Sequence, residues 1–216
     1  MGGYRLQAPP GVLIILMRHG RTQGNNPSNP QVRGWKDAVL TPEGRMDVQL
    51  TAQKLAKYDP QWIESSDFMR DTETALLVAT QLNISDKATR WEARTWDTGL
   101  FSGQPESEVN PKILEIYKNP WESAPGGSES MNEFFARWQS YLDSKMDLAA
   151  NVDTMRPGII VTHGRNLAAT DTYLNGGNAW EAYMSKPAGY ACVVVGETGY
   201  LGLEFVGAKE PVASDV

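Results

Sequence analysis

Residues 13–25, "LIILMRHGRTQGN", join a short apolar run to the pair Arg18 and His19, and then to Gly20. Val12 to Met17 carry no charged or amide side chain, and a run of that length, closed by a charge, reads as a strand buried on both faces. The layout recurs once. "IIVTHGRN", residues 159–166, again runs an apolar strand into a histidine, His163, followed by Gly164, and the chain has two histidines in all. In open α/β sheets, ligands bind in the crevice beyond the carboxyl ends of the strands. Both imidazoles can therefore be delivered to one crevice, where the glycine after each lets the backbone turn sharply and a ligand approach closely.

Around these stretches, strands alternate with helices. Trp62 to Ser65 and Ala191 to Val195 add β-rich runs. A helix should open at "LTPEG", where Thr41 caps, Pro42 suits the first turn and Glu43 favours the positive end, and continue through "QLTAQKLAKY". Another is expected over about 68–82. Ser130 with Glu133 makes a capping box ahead of an amphipathic run through Phe134, Trp138 and Tyr141, and a further helix follows His163 through "LAATDTYL". The alternation predicts an α/β fold: a three-layer α/β/α sandwich with a mostly parallel central sheet. "VVVGETGYLGLEF" adds a terminal β-hairpin through Thr198 and Gly199.

With 216 residues, 41% hydrophobic and 21% charged, the chain suits one compact domain, expected over 11–207 between a disordered segment at 1–10 and a flexible tail at 208–216. Residues 102–127, rich in Pro, Glu, Ser and Asn around the amphipathic "KILEIY", are the least regular stretch and read as an excursion over the sheet rather than a linker. A net charge of −6 without a basic block lacks the electrostatic footprint of a nucleic-acid binder. The run from Val12 is too short to cross a bilayer and lacks a signal peptide's basic start and cleavage site, so no membrane partner is expected and the protein reads as cytoplasmic. Cys192 is the single cysteine, which excludes an internal disulfide and a cysteine metal cluster; it reads as a core residue. Nothing in the sequence fixes an oligomeric state.

Arginines accompany the histidines. Arg18 precedes His19, and Arg70 lies in "SSDFMRDTETA", just after a strand-to-helix turn. A guanidinium fork matches phosphate oxygens and keeps its charge near neutrality. On these residues the chain resembles the histidine phosphatase superfamily, also called the phosphoglycerate-mutase-like family. "MRHGRTQGN" is similar to its signature, "GWKDAVLTPEGRMDVQLTAQKL" to the following segment, "SSDFMRDTETA" to its second arginine block and "IIVTHGRN" to its second histidine block, in family order over about 13–167. The resemblance implies that His19 is the nucleophile, that Arg18, Asn25, Arg70 and His163 line a phosphate pocket, and that the amide of Gly164 is a further donor. It implies a metal-independent phosphomonoester phosphatase, acting through a phosphohistidine on a small phosphorylated metabolite, with no metal and no cofactor. The chemistry agrees: a neutral imidazole can attack phosphorus, while guanidinium and imidazole donors stabilise charge on the equatorial oxygens.

The chain also departs from the family pattern. Many members carry a glutamate, after the third strand, that protonates the leaving oxygen and then activates water. The similar stretch here is "EARTWDTGLFSGQ", in which the glutamate position falls on Thr95. Asp97, the nearest carboxylate in that loop, is taken as the acid/base, although it equally suits a turn residue capping the "DTG" bend. Glu92 is its reserve and Glu106 the third choice. Arg21 stands where an acidic residue is common and Arg165 where a small one is frequent; taken singly, each reads as a solvated surface arginine. With Arg33 and Lys36 they could ring the mouth with positive charge, which makes Arg21, Arg33 and Arg165 candidate substrate contacts. Trp35, Trp96 and Trp121 are candidate pocket walls or ordinary core.

Two rival readings stand beside the phosphatase. A phosphoglycerate mutase resembling the glycolytic enzymes would be longer and carry more basic residues for a second phosphate. A non-catalytic phosphate-recognition module commonly loses the nucleophile or an arginine, and here the set is intact. A serine hydrolase is set aside because "GGSES" lacks the closing glycine of a nucleophile elbow. A two-histidine metal site lacks a close histidine pair or an acidic ligand motif.

Overall fold

The computed structural model describes residues 13–26, 28–150, 157–177, 191–197 and 200–206. Its strands are β1 (Leu13–Arg18), β2 (Trp62–Ser65), β3 (Asp86–Thr89), β4 (Gly158–Thr162), β5 (Ala191–Glu197) and β6 (Tyr200–Val206), and they form one sheet in the order β3-β2-β4-β1-β5-β6. The first four are parallel, β5 joins β1 antiparallel, and β6 pairs antiparallel with β5. The turn expected through Thr198 and Gly199 lies outside the described residues, as do 1–10, 208–216 and the side chain of Cys192.

Helices α1 (Pro42–Leu55), α2 (Met69–Leu82), α3 (Glu106–Lys118), α4 (Met131–Ala150) and α5 (Gly164–Asn175) cover the two faces. The side chains of β1 divide the core between them. Ile14 and Leu16 join Ile160 and residues of α3, α4 and α5, among them Ile113, Phe134, Trp138 and Leu167. Ile15 and Met17 join Ile159, Val161 and the inner faces of α1 and α2, including Val48, Ala52 and Val78. A strand with helices on both sides has no solvent face, so "IILM" needs an apolar side chain at every position. This is the α/β/α sandwich that the alternation predicts.

The caps form as their chemistry dictates. Thr41 Oγ1 accepts a hydrogen bond from Gly44 N (3.0 Å). Glu133 N donates to Ser130 Oγ (3.2 Å) while Ser130 N donates to Glu133 Oε2 (2.7 Å), closing the capping box. Two elements depart from the sequence reading. β3, "DKAT", is exposed and pairs only with β2, so its polar composition is that of a protected edge and carries no apolar signal. The stretch at 102–127 is not irregular throughout: α3 occupies its middle, because Val109, Ile113 and Ile116 fall on one helical face and pack into the core. No helix among the described residues is long and apolar enough to cross a membrane.

The site follows from topology. β1 and β4 are neighbours in register Arg18↔Thr162, and His19 N donates to Thr162 O (2.9 Å). After β1 the chain leaves towards α1 on one face, and after β4 towards α5 on the other, so the outgoing segments part and open a crevice above the two strand ends. Neither Gly20 nor Gly164 has a positive φ. Gly20 instead allows close packing: a Cβ there would lie 2.7 Å from Val48 Cγ2 and 2.8 Å from Gly44 O. At Gly44 a Cβ would overlap the backbone nitrogen and oxygen of Arg21. Alanine is ordinarily favoured over glycine within a helix by about 1 kcal/mol. Gly44→Ala should nevertheless lower stability by about 1–3 kcal/mol through overpacking, read as a lower denaturant midpoint. A raised midpoint would show that the contact between Arg21 and α1 yields easily.

Candidate active site

A cleft open to solvent lies over the adjoining ends of β1 and β4. β1 delivers Arg18 and His19, the following loop Gln31 to Gly34, α2 Arg70, the loop after β3 Thr95, the start of α3 Glu106, and the start of α5 His163, Gly164 and Arg165. The imidazoles of His19 and His163 meet edge to face with centroids 5.2 Å apart, and both are almost fully buried. His19 Nδ1 lies 2.7 Å from Gly20 O. A carbonyl can only accept, so Nδ1 carries the hydrogen and Nε2 keeps its lone pair. Burial, and then the charges of Arg70, Arg18 and Arg33, hold His19 well below the ordinary imidazole range, which keeps that lone pair free at neutral pH.

Arg70 is held through both of its terminal nitrogens. It is 1% exposed; Nη2 donates to Gly34 O and Nη1 to Lys36 O, each at 3.0 Å, and the guanidinium lies 4.5 Å from the centre of the Phe68 ring. Asp37 approaches Nη1 at 3.5 Å and accepts from Met69 N at 3.0 and 2.8 Å. One carboxylate thus satisfies an amide at the start of α2 and steadies the arginine that this helix carries. Gly164 is the first residue of α5, where amides have no intrahelical acceptor and favour an anion. Among the described residues, no group of three or more His, Cys, Asp or Glu is placed to hold a metal ion.

Of the residues expected at the site, Arg18, His19, Arg33, Arg70, His163, Gly164 and Arg165 come together in this cleft. Arg165 is not solvated: it is buried, Nη1 donates to Tyr117 Oη at 3.0 Å, and its guanidinium lies 5.5 Å from the Trp96 ring centre. Arg21 turns away and pairs with Asp47 (2.6 Å) beside a separate open pocket, which it shares with Asn25. There Asn25 Oδ1 accepts from Thr22 N at 2.9 Å. Asp97 also lies outside the cleft lining. Its Oδ1 accepts from Gly99 N (3.0 Å) and its own amide donates to Glu129 Oε1 (3.1 Å), which is the bend-capping arrangement. Glu92 does not reach the lining either; Arg137 of α4 grips the carbonyls of Glu92 and Arg94 at 2.7 and 3.0 Å and pins this loop. Among the described residues, the carboxylate that lines the cleft is Glu106. Trp35, Trp96 and Trp121 stay out of the lining: Trp35 Nε1 donates to Thr95 O, Trp96 is wholly buried, and Trp121 is 79% exposed.

Asp71 escaped the sequence reading. It is fully buried beneath the cleft, with Oδ2 3.4 Å from His163 Nε2 and 3.7 Å from Arg70 Nε. It lies within the "SSDFMRDTETA" block, whose resemblance gives it no role, but it shares with Thr74, Ala75 and Val78 the buried face of α2, and that helical spacing is the signal that could have found it.

The family model described as histidine phosphatase superfamily (branch 1) matches residues 14–206. A 2,3-bisphosphoglycerate-dependent phosphoglycerate mutase of Bartonella henselae is 29% identical over 188 residues, 81% of this chain and 87% of that protein. A probable phosphoglycerate mutase of Yersinia enterocolitica is 28% identical over 158 residues, 71% of this chain and 70% of the relative. Among solved structures, a mycobacterial glucosyl-3-phosphoglycerate phosphatase superposes with a TM-score of 0.72 at 20% identity, covering 92% of this chain and 99% of the other. The alpha-ribazole phosphatase of Shigella flexneri gives 0.72 at 18% identity, covering 93% and 98%. The structural likenesses speak for the fold. The sequence match runs from β1 to the end of β6 and takes in both histidine blocks that meet at the cleft: this chain belongs to the histidine phosphatase superfamily.

Proposed function

We propose that the protein is a metal-independent phosphomonoester phosphatase that acts on a small phosphorylated metabolite through a phosphohistidine on His19. The observation that carries this reading is His19 itself: a buried imidazole whose Nδ1–H is held by Gly20 O, which leaves the Nε2 lone pair for a cleft lined by Arg18 and Arg70, while burial and those arginines hold it below its ordinary range. Nε2 attacks phosphorus, the bond to the leaving oxygen breaks, and Glu106 gives that oxygen its proton. Water then yields a proton to the Glu106 carboxylate and attacks the phosphohistidine; the N–P bond breaks and inorganic phosphate leaves. Arg18, Arg70, His163 and the Gly164 amide hold the equatorial oxygens throughout.

Glu106 takes the acid/base role in place of Asp97 because it is the carboxylate at the cleft, whereas Asp97 is committed to the Gly99 amide. The open cleft supports hydrolysis, since a phosphoenzyme there meets water. The second reading is a mutase, favoured by two further arginines in the lining, Arg33 and Arg165, and by the names of the sequence relatives.

Rapid quenching with labelled phosphate ester should trap an acid-labile, alkali-stable label on the peptide "MRHGR", and His19→Ala should abolish label and turnover together. Turnover without a labelled enzyme at any quench time would remove His19 from the nucleophile's role. With 3-phosphoglycerate as substrate, inorganic phosphate should accumulate; isomerised phosphoglycerate as the main product would establish the mutase instead. Glu106→Gln should slow hydrolysis of alkyl phosphates by about 10²–10⁴-fold while activated aryl phosphates lose much less, because only a poor leaving group needs the proton. Asp97→Asn should leave that ratio unchanged, and a selective loss in Asp97→Asn would return the role to it.

A further inference from the structure

Asp71 presents a carboxylate with no exposure to water; neither oxygen meets a donor at good hydrogen-bond geometry among the described residues, and the polar groups beside it are the Ser66 hydroxyl and His163 Nε2. Its neighbour Arg70 keeps Nε equally unpartnered, 3.7 Å from Oδ2. An ionised carboxylate so placed is costly, and such a group takes up a proton instead. Burial accordingly pushes Asp71 well above the ordinary carboxylate range, and Arg70 and the Ser66 hydroxyl offset this only in part, with Asp37 and Asp67 adding to the rise. His163 meets the mirror-image difficulty. Burial, and then Arg70, His19, Arg18 and Arg33, hold its imidazole below its usual range. Each group alone is thus kept neutral, yet Asp71 Oδ2 and His163 Nε2 are 3.4 Å apart, and Ser66 Oγ stands 3.3 Å from the same nitrogen.

We propose that Asp71 and His163 share a single proton, carried on the Asp71 carboxyl in the empty site and passed to His163 Nε2 when a phosphoryl dianion enters the cleft. An O–H bond breaks and an N–H bond forms, and the net charge of the pair does not change. The direction follows from position: His163 lines the cleft and Asp71 does not, so the transfer moves positive charge towards the anion. The new carboxylate is left behind, beside Arg70 Nε. His163 Nε2 then donates to Asp71, and Nδ1 is the ring nitrogen left for the phosphoryl oxygens. Asp71 is a positioning residue: it touches no substrate and acts through His163. The device lets a buried histidine be neutral in an empty site ringed by arginines and cationic in the filled one, without drawing a proton from solvent.

The inference rests on the reading of the cleft as a phosphoryl site, and tungstate, a dianion across the neutral and alkaline range, tests both. Because the chain has two histidines, ¹⁵N-histidine labelling gives a spectrum of two rings, which a His19→Asn variant assigns. At about pH 8, saturation with tungstate should convert His163 from a neutral ring to an imidazolium. Titration calorimetry in two buffers of different ionisation enthalpy should find no net proton uptake. In Asp71→Asn the proton has to come from solvent, so uptake should approach one proton per tungstate and affinity should fall by up to about tenfold per pH unit on going from neutral to alkaline. A His163 ring in the same charge state with and without tungstate would overturn the proposal. So would an imidazolium formed with proton uptake in the native protein, or an Asp71→Asn protein that matches the native one in both measurements. Should Asp71→Asn fail to fold, the native spectra and proton count decide alone. Absence of tungstate binding would overturn the phosphoryl-site reading itself, and this inference with it.

Discussion

One backbone hydrogen bond organises the functional end of this molecule: His19 N donates to Thr162 O, continuing the parallel register of β1 and β4 one residue beyond the strands. Because that register is locked by apolar side chains on both faces, the two histidines that follow Arg18 and Thr162 have to emerge side by side. A slip of one residue would send Ile14 to Met17 to the wrong faces and part the imidazoles at once. The core and the site therefore depend on the same pairing. Gly20 extends the constraint, since its missing Cβ lets α1 pack directly beneath the chain leaving β1.

Arg70 is the second fixed point. A buried guanidinium is tolerable only when its donors find acceptors, and two of them find the carbonyls of Gly34 and Lys36. The consequence reaches beyond the arginine: the loop that carries Arg33 and Gly34 into the cleft is tied to the first turn of α2, and Asp37 closes the connection through Met69 N. The charge that lines the cleft and the position of the loop are one arrangement. The Nε of Arg70, which this arrangement does not satisfy, lies 3.7 Å from Asp71, so the most deeply buried ionisable groups of the site converge beside His163.

Loop anchoring decides which carboxylate reaches the cleft. Arg137 and Glu129 hold the loop after β3 so that Thr95 faces the cleft while Asp97 faces its own bend. Threonine cannot deliver a proton at neutral pH, and the carboxylate present comes from the next element, at the start of α3. That helix exists because Val109, Ile113 and Ile116 need the core, so a segment that looks like a polar excursion positions the Glu106 side chain at the lining.

Much of this was legible in the residues themselves. Continuous apolar runs marked β1 and β4, the capping residues Thr41, Ser130 and Glu133 marked helix starts, and a histidine and glycine after each central strand marked the crevice; all of these are local patterns that packing then enforces. β3 was illegible because an edge strand needs no apolar face, and Arg165 because nothing in "THGRN" announces that Tyr117 and Trp96 will enclose it. By itself the sequence determined the sandwich, the two histidines at one sheet end and the arginines that accompany them. Only the tertiary structure decided that Glu106 rather than Asp97 faces the cleft, that Asn25 and Arg21 turn to a neighbouring pocket, and that Asp71 lies buried against His163. The physical reason is that periodicity and caps are written within a few consecutive residues, whereas the partner of a buried charge is set by elements that meet only when the sheet closes.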